Sequence, residues 1–139
     1  MILNVRASGQ IADGNLIQSE QLGFGGYYSI RGYDMRLVNG DNGFIVNVEL
    51  LNCPISTGWS HCDDDELQFL GFFDIGEATL HSPLSGEKRS TQLSSVGVGL
   101  RYTARRRVLL RVEYGYPLDR DVIGVNRDGR VHIGAVLSF

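Results

Sequence analysis

The sequence contains no apolar run near the ~18 residues that a membrane-spanning helix needs. The residues after Met1 lack the basic start, apolar core and small-residue cleavage site of a signal peptide. We therefore expect either a cytosolic protein or an internal or C-terminal piece of a longer chain. No G-x-S-x-G motif occurs, which argues against the simplest esterase. A net charge of −3 gives no electrostatic reason to expect nucleic acid as a partner.

Glycine and alternating apolar residues dominate what is present. Glycine supplies 18 of the 139 residues, which is roughly twice its usual share. No segment has a convincing helical period, but six segments alternate with a period of two, as strands do. These segments are residues 2–8, 43–51, 67–76, 95–103, 107–116 and 130–139. The sequence therefore predicts one all-β domain with about six antiparallel strands.

The two faces of the predicted strands differ in chemistry. One face carries Val, Leu, Ile, Phe and Tyr, whereas the other carries glycine, serine and charges of both signs without lysine. The charges of this second face are Glu49, Asp74, Arg101, Arg111 and Glu113. An apolar face toward lipid, a polar lumen and alternating long and short links are typical of a transmembrane β-barrel. A soluble extracellular all-β module with ligand-binding loops stays open as an alternative.

One glycine-rich stretch follows neither periodicity. It reads SEQLGFGGYYSIRGYD, residues 19–34, and presents a single cation, Arg31, between Ile30 and Gly32. A phosphate-binding loop is a poor interpretation, because the stretch has no lysine and no helical pattern follows it. Gly25, Gly26 and Gly32 would permit a tight backbone or positive φ angles.

Several segments together carry a family resemblance. They are SEQLGFGGYYSIRGYD, GDNGFIVNVEL, LQFLGFFDIG, LSSVGVGLRY, LRVEYGYPLD and GRVHIGAVLSF. In this order they resemble the C-terminal half of the barrel in two-partner secretion transporters, the haemolysin activation/secretion proteins of the Omp85 superfamily. The resemblance implies a sixteen-stranded barrel preceded by two periplasmic POTRA domains. Residues 1–139 would be its C-terminal portion, with the POTRA domains and the N-terminal strands absent from this chain.

The resemblance also implies a set of site residues. The IRGY element, Ile30–Tyr33, would lie on the sixth extracellular loop, which folds back into the lumen of the barrel. There Arg31 would pair with Asp74 of the FFD element and hold the loop against the wall. The terminal residue, Phe139, would carry the signal for barrel assembly. No catalytic residue and no cofactor or metal ligand is implied.

The function implied is that of a translocation pore in the bacterial outer membrane, not of an enzyme. Its partners would be a large secreted exoprotein of the haemolysin or adhesin type, outer-membrane lipid and the barrel-assembly machinery. An Omp85-type assembly factor that inserts other barrels is the alternative within the superfamily. The smallest closed outer-membrane barrels have about eight strands, so this chain is not expected to form a pore alone. A fragment, a truncated or degenerate copy and an oligomer all stay open.

Two cysteines flank a predicted periplasmic turn. Cys53 and Cys62 enclose PISTGWSH, and an even cysteine count in an oxidising compartment favours a disulfide between them. A metal site that also uses His61 and the acidic residues 63–65 is less favoured, because the adjacent His-Cys pair lacks the usual zinc-ligand spacing.

Overall fold

The computed structural model describes residues 1–57, 65–105, 107–119 and 128–138. Its described residues form nine strands and no helix, so the predicted all-β fold is confirmed. The strands are β1 (Ile2–Gln10), β2 (Leu22–Phe24), β3 (Val38–Gly40), β4 (Asn42–Leu51), β5 (Ile55–Ser56), β6 (Glu66–Thr79), β7 (Ser90–Ala104), β8 (Val108–Pro117) and β9 (Arg130–Leu137). Within these residues, no helix has the length and apolar character to cross a bilayer.

One antiparallel sheet contains the six long strands in the order β1-β4-β6-β7-β8-β9. The short strand β5 pairs with the first residues of β6. The sheet is not closed, so β1 and β9 are its two edges. Strands β6 and β7 pair from Glu66–Thr103 to Thr79–Ser90 and extend beyond the predicted segments. Polar residues at the Thr79–Ser90 end of this pair interrupt the apolar alternation, but the backbone hydrogen bonds between the two strands continue.

The outer face of the sheet, which the alternating apolar side chains form, is exposed. Its exposed large side chains include Leu3, Val5, Phe44, Leu50, Phe69, Phe73, Val96, Val98, Leu110, Val112, Val131 and Ile133. An apolar band of this extent far exceeds what a monomeric soluble protein usually leaves in water. It is typical of a sheet that faces lipid.

The long link between β1 and β4 packs against the opposite, inner face of the sheet. Strands β2 and β3 form a separate two-stranded sheet within this link. The main hydrophobic core lies between the link and the inner face, and its members are Phe24, Ile30, Tyr33, Ile45, Ala78 and Leu93. The sequence did not predict β2 and β3, because three-residue strands beside glycines carry too little alternation to detect.

Candidate functional site

The candidate site is the point where the long link meets the inner face, and Arg31 lies at its centre. Its Nε and Nη2 atoms donate to the two carboxylate oxygens of Asp74, each at 2.8 Å. The backbone N–H of Arg31 donates to the same carboxylate at 3.1 Å. Arg31 is 4% exposed and Asp74 is 0% exposed. The pair therefore has the bidentate geometry that makes Arg–carboxylate contacts strong and directional.

Two further carboxylates and a second arginine complete an ion-pair cluster. Nη1 of Arg31 lies 2.7 Å from Glu49 and 2.9 Å from Glu113. Nη2 of Arg101 lies 2.9 Å from Glu49 and 3.4 Å from Glu113. We use the term ion-pair cluster for Arg31, Glu49, Asp74, Arg101 and Glu113. Its members on the sheet come from four consecutive strands, β4, β6, β7 and β8. The loop arginine contacts β4, β6 and β8 directly, and it is linked to β7 through the carboxylates that it shares with Arg101.

Burial and hydrogen bonding have opposite effects on the pKa of Arg31. Burial alone lowers the pKa of the guanidinium, because it disfavours the charged form. Hydrogen bonds and charge attraction from Asp74, with further hydrogen bonds from Glu113 and Glu49, outweigh burial and raise the pKa above its ordinary value. Arg31 is therefore a fixed positive charge across the whole physiological pH range.

An aromatic ring supports the guanidinium. The Cζ atom of Arg31 lies 3.6 Å from the ring centroid of Phe72, which is a close cation–π contact. Space for the ring comes from Gly97 on the neighbouring strand, where an added Cβ would lie 2.2 Å from Cζ of Phe72. A lysine in place of Arg31 would keep the charge but not the planar stacking.

Glycine allows the tip of the motif to touch the backbone of the sheet. Gly32 has a φ of 91°, and a Cβ added there would lie 2.9 Å from the carbonyl of Gly115 in β8. A Cβ added at Gly115 would lie 2.6 Å from the backbone N of Gly32. Real Cβ atoms do not approach other atoms this closely. Both positions therefore need glycine for the loop to lie where it does.

Tyr33, which the resemblance placed in the motif, makes a second anchor, and sequence reasoning missed its partners. Its hydroxyl donates to the backbone carbonyl of Ser94 at 2.7 Å and accepts from the backbone N–H of Asp119 at 3.2 Å. The Asp119 carboxylate accepts from the Ser94 hydroxyl at 2.6 Å. Burial raises the pKa of Tyr33, so its hydroxyl stays protonated and able to donate. The available signal was the aspartate of the YPLD element, which lies two residues after the end of β8.

Polar side chains of the sheet also hold the backbone of the loop. Asn47 donates to the carbonyl of Ser29 at 2.6 Å, and Arg6 donates to the carbonyl of Tyr28 at 2.8 Å. Sequence reasoning did not assign these two side chains to the site. Both occupy inward positions of the alternation, opposite each other in β1 and β4, and that parity was the usable signal.

Asp41 anchors the start of the long link. Its carboxylate is 2% exposed and accepts hydrogen bonds from the backbone of Leu16 and His81, both at 2.9 Å, and from the Gln21 side chain at 3.0 Å. The hydrogen bonds from His81 and Leu16, followed by that from Gln21, lower the pKa of Asp41. This single carboxylate therefore ties two parts of the long link to the link between β6 and β7.

Not every predicted site residue joins the cluster. Arg111 lies on the inner face but stacks with its Cζ atom 4.8 Å from the ring centroid of Tyr27. It makes no ion pair with any residue of the described ranges. Phe139 and Cys62 lie outside the described residues, so the assembly signal and the disulfide with the exposed Cys53 stay predictions. The described ranges contain no group of acidic, histidine or cysteine side chains suited to a metal ion.

The sheet, its apolar outer face and the loop on its inner face define a class of protein, the outer-membrane β-barrel proteins. Residues 1–102 match the family model described as haemolysin secretion/activation protein ShlB/FhaC/HecB. The match covers well over half of the chain, so the chain belongs to this family. The family belongs to the Omp85 superfamily and contains bacterial outer-membrane proteins that act with a secreted exoprotein. No curated protein matches the chain.

Proposed function

We propose that this chain forms part of an outer-membrane pore that secretes, and activates, a large partner exoprotein of the haemolysin or adhesin type. The observation that carries the proposal is the buried pair of Arg31 and Asp74, which joins the long link to the inner face in a chain of this family. In this role the chain resides in the bacterial outer membrane and contacts lipid through its outer face. It performs transport without catalysis.

The anchored link would set the shape of the lumen. Removing one partner of a buried ion pair costs roughly 3–5 kcal/mol, because it leaves the other charge uncompensated. The intact pair contributes much less net stability, since burying both charges carries its own desolvation cost. The pair therefore acts mainly to fix where the loop lies. We name Ile30, Arg31, Gly32, Tyr33 and Asp74 as the loop anchor in this proposal.

The sheet requires additional strands to act as a pore. Lipid does not tolerate unpaired strand edges, and β1 and β9 are both edges here. We therefore assign residues 1–139 to the C-terminal portion of a larger barrel, with further strands paired to β1 and β9. In that setting the barrel-assembly machinery would be a folding partner, and Phe139 would end the strand that it recognises.

A chimera tests this function directly. A transporter of the family would carry residues 1–139 in place of its own C-terminal barrel segment, beside its own exoprotein. We expect the exoprotein in the culture medium, and we expect Arg31→Ala to reduce its amount roughly tenfold or more while membrane insertion persists. Arg89→Ala, which removes an exposed arginine from the β6–β7 link, is the matched control and should secrete normally. A chimera that inserts fully but exports nothing would contradict the proposal.

The two alternatives have separate readouts. An assembly factor should raise the insertion of other barrel proteins in cells that carry the chimera, without any effect on the exoprotein. A soluble binding module should remain monodisperse when the chain is purified without detergent. The broad apolar outer face argues against the soluble module, because a soluble protein with this face would expose large aliphatic and aromatic side chains to water.

A further inference from the structure

A cavity of about 290 Å³ lies on the inner face beside the ion-pair cluster. Strands β1, β4, β7 and β8 form its floor, and the loop residues Tyr27 and Tyr28 form one wall. The guanidinium groups of Arg6, Arg101 and Arg111 line the cavity, and none of these three residues is completely buried. At about 30 Å³ for each water molecule, the cavity has room for a small charged group together with several waters.

Two of these guanidinium groups have no carboxylate partner among residues 1–57, 65–105, 107–119 and 128–138. Among these residues, Arg6 donates to uncharged oxygens, the carbonyl of Tyr28 at 2.8 Å and the side chain of Asn47 at 3.4 Å. Arg111 stacks on the ring of Tyr27. Of the carboxylates in the ion-pair cluster, only Glu49 lines the cavity. The cavity wall is therefore strongly cationic, although the chain as a whole is acidic.

The local charge is unbalanced by one unit. The cavity and the ion-pair cluster together contain four guanidinium groups and three carboxylates, which leaves one positive charge in excess. Asp74 and Glu113 are fully buried behind Arg31 and do not reach the cavity. A single negative charge placed among Arg6, Arg101 and Arg111 would neutralise the site.

Two donors at the cavity also lack an acceptor. The Nε atoms of Arg101 and Arg111 are buried from solvent and make no hydrogen bond within the part of the chain that the structure describes. Buried donors of this kind are rare, because each one costs free energy unless an acceptor or an ordered water satisfies it. The unsatisfied donors and the excess charge are separate observations: the donors indicate an acceptor at this place, and the excess charge indicates that the acceptor is an anion.

We propose that this cavity is a binding site for a carboxylate anion. A carboxylate supplies two acceptor oxygens that match the planar fork of a guanidinium, and it carries the one negative charge that the site lacks. The anion has two possible sources, an acidic side chain of a polypeptide in the lumen or a free carboxylate. The site itself is independent of the secretion role, and only the polypeptide source rests on the proposed function.

Binding can be measured on the chain itself, refolded in detergent micelles at low ionic strength. The probes are sodium acetate, the peptide acetyl-Ala-Glu-Ala-amide and its neutral counterpart acetyl-Ala-Gln-Ala-amide, titrated by calorimetry or NMR. We expect both carboxylate probes to bind and the neutral peptide to bind at least tenfold more weakly. Arg111→Gln and Arg6→Gln should each weaken carboxylate binding roughly tenfold, which corresponds to the loss of one charge-assisted hydrogen bond. The control Arg89→Gln should change it less than twofold.

The outcomes separate the two sources and test the site. Tighter binding of the acidic peptide than of acetate supports a polypeptide side chain, whereas equal binding supports a free carboxylate. Equal binding of the glutamate and glutamine peptides, or unchanged acetate binding in both arginine variants, would overturn the site. If Arg111→Gln loses its β-sheet circular dichroism signal, Arg6→Gln on the edge strand decides the question. No exoprotein is present in this assay, so its failure would leave the secretion proposal intact.

Discussion

At the scale of single residues, Arg31 combines three interactions that no other side chain could provide together. It forms a bidentate pair with Asp74, bridges to Glu49 and Glu113, and stacks on Phe72. Each interaction uses the planar, permanently charged guanidinium. The contribution of Arg31 therefore depends on its shape as much as on its charge.

The substitution Arg31→Lys tests this dependence on shape. An ammonium group keeps the charge but loses one contact to Asp74 and the stacking on Phe72, so we expect the free energy of unfolding to fall by about 1–3 kcal/mol. Urea titration of the refolded chain measures the change. The control is Arg36→Lys, because Arg36 is exposed and its hydrogen bonds within the described part of the chain all go to neutral oxygens of the loop. Equal stability of Arg31→Lys and the unsubstituted chain would show that charge alone suffices.

Single-residue reasoning from sequence reached some of these contacts but not others. The family resemblance suggested that Arg31 meets Asp74, and the two side chains lie within hydrogen-bonding distance. The alternation placed Glu49 and Glu113 on the inner face without indicating which arginine each contacts. The sequence could not pair Ser94 and Asp119 with Tyr33, because these contacts join segments more than sixty residues apart in the chain. No local pattern specifies pairings at that separation.

At the scale of elements, the long link and strand β8 meet backbone to backbone. Gly32 and Gly115 are in such close contact that neither position has room for a Cβ. Alternation along β8 predicted an inward position at residue 115, and glycine there is a poor strand former on its own. The contact with the link supplies the reason for that glycine, and a strand pattern cannot reveal it.

Substitution of Gly115 by alanine should displace the link from the sheet. The added Cβ would lie 2.6 Å from the backbone N of Gly32, so the loop must move and the bond after Arg31 becomes accessible. We expect trypsin to cleave there at least several-fold faster than in the unsubstituted chain, as followed by mass spectrometry. Gly71→Ala in β6 is the control, since the nearest described atom to a Cβ there would be the carbonyl oxygen of Gly97, at 4.0 Å. Identical cleavage rates in the two variants would argue against the backbone contact.

At the scale of the whole molecule, the sequence predicted the sheet better than its interior. A period of two assigns each residue of a strand to one face, so the outer face could be predicted position by position. The members of the core were not predicted, because the second layer that covers the sheet is the irregular long link and not another regular element. The apolar residues of 19–34 do not recur with a helical or strand period, because this segment packs on the sheet mainly as an irregular loop.

The character of the outer face can be tested with one arginine at two depths. Val98 lies near the middle of β7 and is 64% exposed, whereas Gln92 lies on the same strand near its end and is also exposed. Six residues of strand separate them by roughly 20 Å along the chain.

In the chimera inserted into lipid vesicles, Val98→Arg should lower the free energy of unfolding in urea by about 2–4 kcal/mol, because the charge lies at the bilayer midplane. Gln92→Arg should cost about 0–1 kcal/mol, because it lies near the head groups. A sheet that faced water would tolerate both substitutions within about 0.5 kcal/mol, so equal and negligible effects at the two depths would mean that lipid does not cover this face.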